Sequence, residues 1–247
     1  MKRTIYLGVI TLITIGCVLY GVNEWYGGDG FGFFSERDER KYSIEESTKL
    51  EAFQSIVVDA AVMDLIIVEG TDFSLDYRGT EKLEMSYQME NEELVVTQRK
   101  KGHLTGINNA ELILTMPKDT QLEKINVKLD VGDIDIKDVD VKVLDTKGDV
   151  GDVMIENASL ENVILSSSTG DIDVDNCSFV MLDISADVGD IEVYSSNDIS
   201  DYSFDLKTDV GEVEVGAGSF GKKYYQRGEN GSITARGDVG DISINEK

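Results

Sequence analysis

One short string returns along the second half of the chain at a nearly fixed interval. It reads DVGDIDI from Asp130, DVGDVMI from Asp149, STGDIDV from Ser168, DVGDIEV from Asp187, DVGEVEV from Asp209 and DVGDISI from Asp238. Its glycines are Gly132, Gly151, Gly170, Gly189, Gly211 and Gly240, separated by 19, 19, 19, 22 and 29 residues. The residues after each glycine stay in register: Ile134, Val153, Ile172, Ile191, Val213 and Ile242, then two positions on Ile136, Ile155, Val174, Val193, Val215 and Ile244. A second pair precedes each motif, as in Ile125/Val127, Leu144/Thr146, Val163/Leu165 and Leu182/Ile184. Apolar residues spaced by two share one face of a strand. Val139, Ala158 and Cys177, with Val141, Leu160 and Phe179, repeat between the pairs and are expected to close the core on its other side.

A unit of this length buries no core alone, but identical coils stacked at about 4.8 Å bury one jointly. The repeat therefore predicts a β-solenoid of parallel coils with inward Ile, Val and Leu ladders. Each motif glycine is expected at a corner with positive φ, which glycine reaches without a Cβ clash. The longer intervals carry SNDIS from Ser196 and GKKYYQRGENG from Gly221 to Gly231, both expected as loops bulging from regular coils. The degenerate fifth coil and the closing strand Asp241–Asn245 are expected to cap the end.

Upstream, Ser55–Val58, Met63–Val68, Phe73–Tyr77, Leu83–Met89, Glu93–Thr97 and Glu111–Met116 alternate like strands. Hairpin turns are expected at Gly79-Thr80 and Glu90-Asn91. This part reads as an antiparallel meander covering the solenoid's bare edge. Within it, Val62-Met63-Asp64-Leu65-Ile66-Ile67 resembles a degenerate copy of the repeat.

The N-terminus has a different grammar. Lys2 and Arg3 precede the uncharged run from Thr4 to Val22, which as a helix spans roughly 28 Å, the thickness of a bilayer core. Basic residues before it and Asn23-Glu24 after it place the N-terminus inside the cell and the rest outside. A lipoprotein signal ending at Ile15-Gly16-Cys17 is the alternative; the apolar Val18-Leu19-Tyr20 that follows favours a retained transmembrane helix. Residues 1–26 are then a cytoplasmic stub and helix, 27–44 a Gly-rich and charged linker, and 45–247 the extracytoplasmic domain, divided into a cap (45–120) and the repeats (121–247).

The chain has 48 acidic and 23 basic residues, a formal charge of −25. That field repels phosphate backbones, so nucleic acid is not an expected partner. A hydrolytic triad needs a base, and the one histidine, His103, lies in the turn-like KKGHLTG. Cys177 falls on an inward column, which suits a small core residue. No catalytic residue or cofactor-binding motif emerges.

The acids of the repeat form columns of their own: Asp133, Asp152, Asp171, Asp190, Glu212 and Asp241 in one, Asp130, Asp149, Asp187, Asp209 and Asp238 in another. Like charges about 5 Å apart repel by ~0.8 kcal/mol per neighbour in water. Relief can come from splaying into solvent, from backbone N–H groups, or from bridging cations, for which oxygen ligands suit Ca²⁺. A solvated or N–H-capped ladder is the expectation. A Ca²⁺ site on Asp133, Asp152, Asp171, Asp190 and Asp241 is the alternative.

FQSIVVDAAVMDLIIVEG, then ELILTMPKDTQLEKINV, then repeated (D/N/S)-x-G-D-(I/V)-x-(I/V) units together resemble the domain-of-unknown-function 4097 family, the adhesin-like or LiaG-like members of the toastrack group. The resemblance covers about residues 45–247. It implies an all-β, right-handed, single-stranded β-solenoid in a bacterial envelope protein, often tied to envelope-stress systems, and it carries no catalytic residues. The resulting expectation is a noncatalytic, membrane-anchored module that contacts a protein partner in the cell envelope. A surface adhesin or wall-binding module is the alternative, and a carboxylate-dependent glycan-acting enzyme the remoter one.

Overall fold

The computed structural model describes residues 42–102 and 109–247. The expected transmembrane helix, residues 27–41 of the expected linker and His103 fall outside them, and the last linker residue, Ile44, begins the first strand. Among the described residues no helix is long and apolar enough to cross a membrane.

The chain is all β. Its first strands are β1 (Ile44–Lys49), β2 (Ser55–Ala60), β3 (Asp64–Gly70), β4 (Ser74–Gly79), β5 (Leu83–Glu90), β6 (Glu93–Lys100) and β7 (Glu111–Pro117). The repeats then alternate long and short strands: β8 (Gln121–Val131) and β9 (Ile134–Lys137), β10 (Asp140–Val150) and β11 (Val153–Glu156), β12 (Ser159–Thr169) and β13 (Ile172–Cys177), β14 (Met181–Val188) and β15 (Ile191–Ser195). There follow β16 (Tyr202–Val210), β17 (Val213–Val215), β18 (Gly218–Ser219), β19 (Lys223–Gln226), β20 (Gly231–Val239) and β21 (Ile242–Glu246).

Two sheets face each other across one core. The sheet that holds the short strands of the repeats has the order β1-β4-β7-β3-β9-β11-β13-β15-β21-β17-β18, and the sheet that holds their long strands has the order β19-β16-β20-β14-β12-β10-β8-β2-β6-β5. Each coil thus gives one strand to each sheet, and successive coils pair in parallel, with Leu144 beside Ile125 and Val163, and Ile155 beside Ile136 and Val174. The predicted inward columns are buried, the mid-repeat set included, except that Val215 in the outermost coil is half-buried. That set closes the core where each long strand turns, because two adjacent residues there, such as Glu123 and Lys124, both face out between buried Leu122 and Ile125.

Three expectations are corrected. Residues 45–120 are not a simple antiparallel meander. β2 and β3 pair in parallel with β8 and β9, and β6 and β7 pair in parallel with β2 and β3, so the cap contains two coils of the solenoid. Only β1, β4 and β5 run antiparallel to their neighbours there. The Glu90-Asn91 turn is a hairpin, with Asn91 and Glu92 both at positive φ. The chain at Gly79-Thr80 instead crosses from one sheet to the other.

Second, Gly221–Gly231 is not simply a loop: β19 lies antiparallel on β16, with Tyr224 opposite Leu206. Phe220 and Phe204 flank the Tyr224 ring at centroid distances of 4.3 and 5.6 Å. Third, the closing strand does not cap the stack. β20 and β21 lie between β14–β15 and β16–β17, so the last coil in sequence is next to last in space. The fifth motif forms the outermost coil, as expected, with β18 and β19 on its flank.

The far end is plugged by polar groups. The Gln98 amide, fully buried, accepts from Val62 N–H at 3.0 Å and donates to Val62 C=O at 2.8 Å. The buried Tyr77 hydroxyl donates to Leu83 C=O at 2.6 Å. Burial pushes the Tyr77 phenol above its ordinary value.

Candidate functional site

The acid columns and the motif glycines meet at one edge, where each long strand ends and the chain turns into the short one. The glycines there have φ between +130° and +149°. Each sits directly on the carbonyl of the preceding rung: a Cβ on Gly170 would stand 2.1 Å from the Gly151 oxygen, and one on Gly240 1.9 Å from the Gly189 oxygen. Both the dihedral and the contact therefore demand glycine. In the first rung Met63 supplies the carbonyl, 1.9 Å from a Cβ built on Gly132, so the degenerate copy read at Val62–Ile67 is the rung below the first full motif.

Hydrogen bonds stitch the corner in both directions. Gly151 N–H donates forward to Thr169 C=O at 2.9 Å, and Gly189 N–H to Val239 C=O at 3.0 Å. The aspartates bond backward: Asp133 Oδ1 accepts from Asp152 N–H at 3.0 Å, Asp152 from Asp171 at 2.9 Å, and Asp171 from Asp190 at 2.8 Å. Asp190 then accepts from Asp241, and Asp241 from Glu212, both at 2.8 Å. Asp64 begins the column, accepting from Asp133 N–H at 3.4 Å. The ladder that raised the question of Ca²⁺ is thus N–H-capped. Among the described residues no group of three or more His, Cys, Asp or Glu is placed to hold a metal ion.

The second column stands outside this ladder. Asp209 is held by Lys207 at 2.6 Å, which keeps its carboxyl below the usual range. Asp149, Asp187 and Asp238 form no ion pair among the described residues. Between the columns runs a stripe that the sequence reading did not assign. Val131, Val150, Val188, Val239 and Val210 are 42–59% exposed, with Thr169 in the third rung.

The short-strand face beside this edge is also acidic. Asp173 and Glu192 are register partners on β13 and β15. Burial raises the Asp173 pKa, and Glu192, Asp171, Asp152 and Asp175 add to the rise. Asp173, Asp175 and Glu192 line an open groove with Met154, Glu156 and Tyr194. Lys247 reaches Asp175 at 2.7 Å.

The opposite corner uses a different device. Asp138, Asn157 and Asn176 have φ of 54°, 51° and 54°, the left-handed conformation that short polar side chains tolerate. Asn176 Nδ2 donates to Asn157 Oδ1 at 2.7 Å. The 19-residue step of these residues is visible in the sequence. Cys177, on its inward column, is fully buried, and burial lifts its thiol to about 11, which leaves it unreactive.

A stack of parallel coils with glycine corners and a backbone-capped carboxylate ladder defines a class of stacked-coil β-repeat domain. The family model of Toastrack DUF4097 matches residues 53–247, and the chain belongs to that family. Among solved structures, a "putative cell adhesion protein" from Clostridium sporogenes is similar at 18% identity over 83% of this chain and 99% of that one, with a TM-score of 0.48. A "putative adhesin" from Bacteroides fragilis is similar at 16% identity over 81% and 96%, with a TM-score of 0.47. No curated protein matches the chain significantly.

Proposed function

We propose that the chain is a noncatalytic interaction module of the cell envelope. The Thr4–Val22 segment anchors it as a single-pass helix with the β domain outside the cytoplasm, and it works by contact with an envelope protein in stress sensing or relay. One observation carries the noncatalytic reading. The acids of the repeat, the most conspicuous candidates for chemistry, are engaged rung after rung as acceptors for the backbone of the next coil. Such a column has a repeated structural task and no single distinctive pair. A stack of coils also offers long regular surfaces suited to contact.

A glycan-acting enzyme draws on the Asp173–Glu192 pair, since a carboxyl of raised pKa can serve as general acid. Against it, the rise comes first from burial and then from a crowd of like charges, Glu192, Asp171, Asp152 and Asp175, in place of one distinct partner. A surface adhesin or wall-binding module is the second reading. Photo-crosslinking from the domain surface in intact cells separates these. The proposal expects adducts with an envelope protein. Adducts with wall glycan or an external surface would favour the adhesin, and glycan cleavage lost in Asp173→Asn would establish the enzyme.

A further inference from the structure

The exposed valines of the glycine corner are at odds with a surface built only for solubility. A polar residue would satisfy the fold equally at these positions, as Thr169 does in the third rung. Yet five of the six rungs present a valine, and the sheet order makes them one continuous line: Val131, Val150, Thr169, Val188, Val239, Val210. Five steps at ~4.8 Å make a stripe about 24 Å long, the reach of about seven extended residues.

Carboxylates flank this line on both sides. Asp149, Asp187 and Asp238 precede their valines. Asp152, Asp171, Asp190 and Asp241 follow the corner glycines, with only their inner oxygens engaged by backbone N–H. None of the seven forms an ion pair among the described residues, while on the long strands of the last two coils Arg236 and Lys207 are engaged by Asp205 and Asp209, and Lys222 donates to the Asp209 carbonyl. An apolar strip between two uncompensated acidic rows is complementary to one kind of partner: a chain that carries apolar and cationic side chains together. Anionic lipid and nucleic acid are repelled, and a neutral glycan leaves the charge unanswered.

We propose that this stripe docks a basic, extended segment of a partner protein in which Lys or Arg alternates with aliphatic side chains. The segment lies along the stacking axis, its aliphatic groups on the valines and its cations on the carboxylate rows. This rests on the interaction-module reading and names the surface and the partner's chemistry.

The test uses the intact chain and two synthetic eight-residue peptides, one alternating Lys with Val and one alternating Lys with Ser. The Lys–Val peptide should bind at least tenfold more tightly. Combined Val150→Thr, Val188→Thr and Val239→Thr, isosteric changes that repeat what Thr169 already does, should reduce that preference below twofold with the melting temperature unchanged. Asp149→Asn, Asp187→Asn and Asp238→Asn together should weaken Lys–Val binding at least tenfold. Neutralising Glu45, Glu46 and Glu90 at the far end, an equal loss of charge, should weaken it less than threefold. Equal binding of the two peptides, or equal losses from both sets of neutralised acids, would overturn the proposal by showing attraction to net charge alone. Failure here with envelope-protein adducts still forming in cells leaves the module reading standing; glycan cleavage would defeat that reading itself.

Discussion

At the scale of single residues, the repeat divides its labour. The glycine permits the corner and the contact with the rung below, so Gly170→Ala should cost about 3 kcal/mol or more, read as a lowered urea midpoint. The aspartate is an acceptor before it is a charge. Asp152→Asn keeps an oxygen for Asp171 N–H and should stay within about 0.5 kcal/mol of the parent, whereas Asp152→Ala should cost about 1 kcal/mol. Equal losses in both would mean that the charge itself matters. Thr146 departs from the apolar pattern: it is fully buried among Ile, Leu and Val, and its hydroxyl has no partner. Thr146→Val should therefore raise stability by about 1 kcal/mol in the same titration.

At the scale of elements, the short-strand face carries a pH signature. Asp173 on β13 is more readily protonated in the fold than in the unfolded chain. Its contribution to stability is thus full below the ordinary carboxylate value and is lost as pH rises through the raised folded value. Asp173→Asn should stabilise the protein at pH 7 by about 0.5 kcal/mol after solvent screening, and the gain should vanish near pH 3. A gain that persists at pH 3 would assign the effect to packing. The coils, corners and inward columns were legible in the sequence because period two and period nineteen are both written there. The valine stripe was not, because alternation assigns faces along a strand and says nothing of a corner, where the chain turns out of both faces. The β19 strand was hidden for another reason: Lys223–Gln226 alternates too briefly to distinguish a strand from a loop, and Phe204 and Phe220 around Tyr224 hold it in place.

At the scale of the molecule, the decisive fact is that order in space departs from order in sequence at both ends. β6–β7 lies outside β2–β3, and β16–β17 lies outside β20–β21. Near-identical rungs match one another equally well, so side-chain columns alone cannot say which coil neighbours which. What distinguishes the ends is the cap: antiparallel β4 and β5 at one, β18 and β19 at the other. The inserted C-terminal coil also makes the edge continuous, because Asp241 joins Asp190 to Glu212 and Val239 joins Val188 to Val210. The carboxylate ladder and the proposed docking stripe both depend on that placement. Paired cysteines test it directly in a Cys17→Ser background, since adjacent parallel strands bring register partners within disulfide reach and a skipped strand does not. Asp183→Cys with Thr234→Cys should form a disulfide under mild oxidation, and Asp183→Cys with Asp205→Cys should not. The reverse pattern, with Asp183 bonded to Asp205, would show the coils stacked in sequence order and contradict the account.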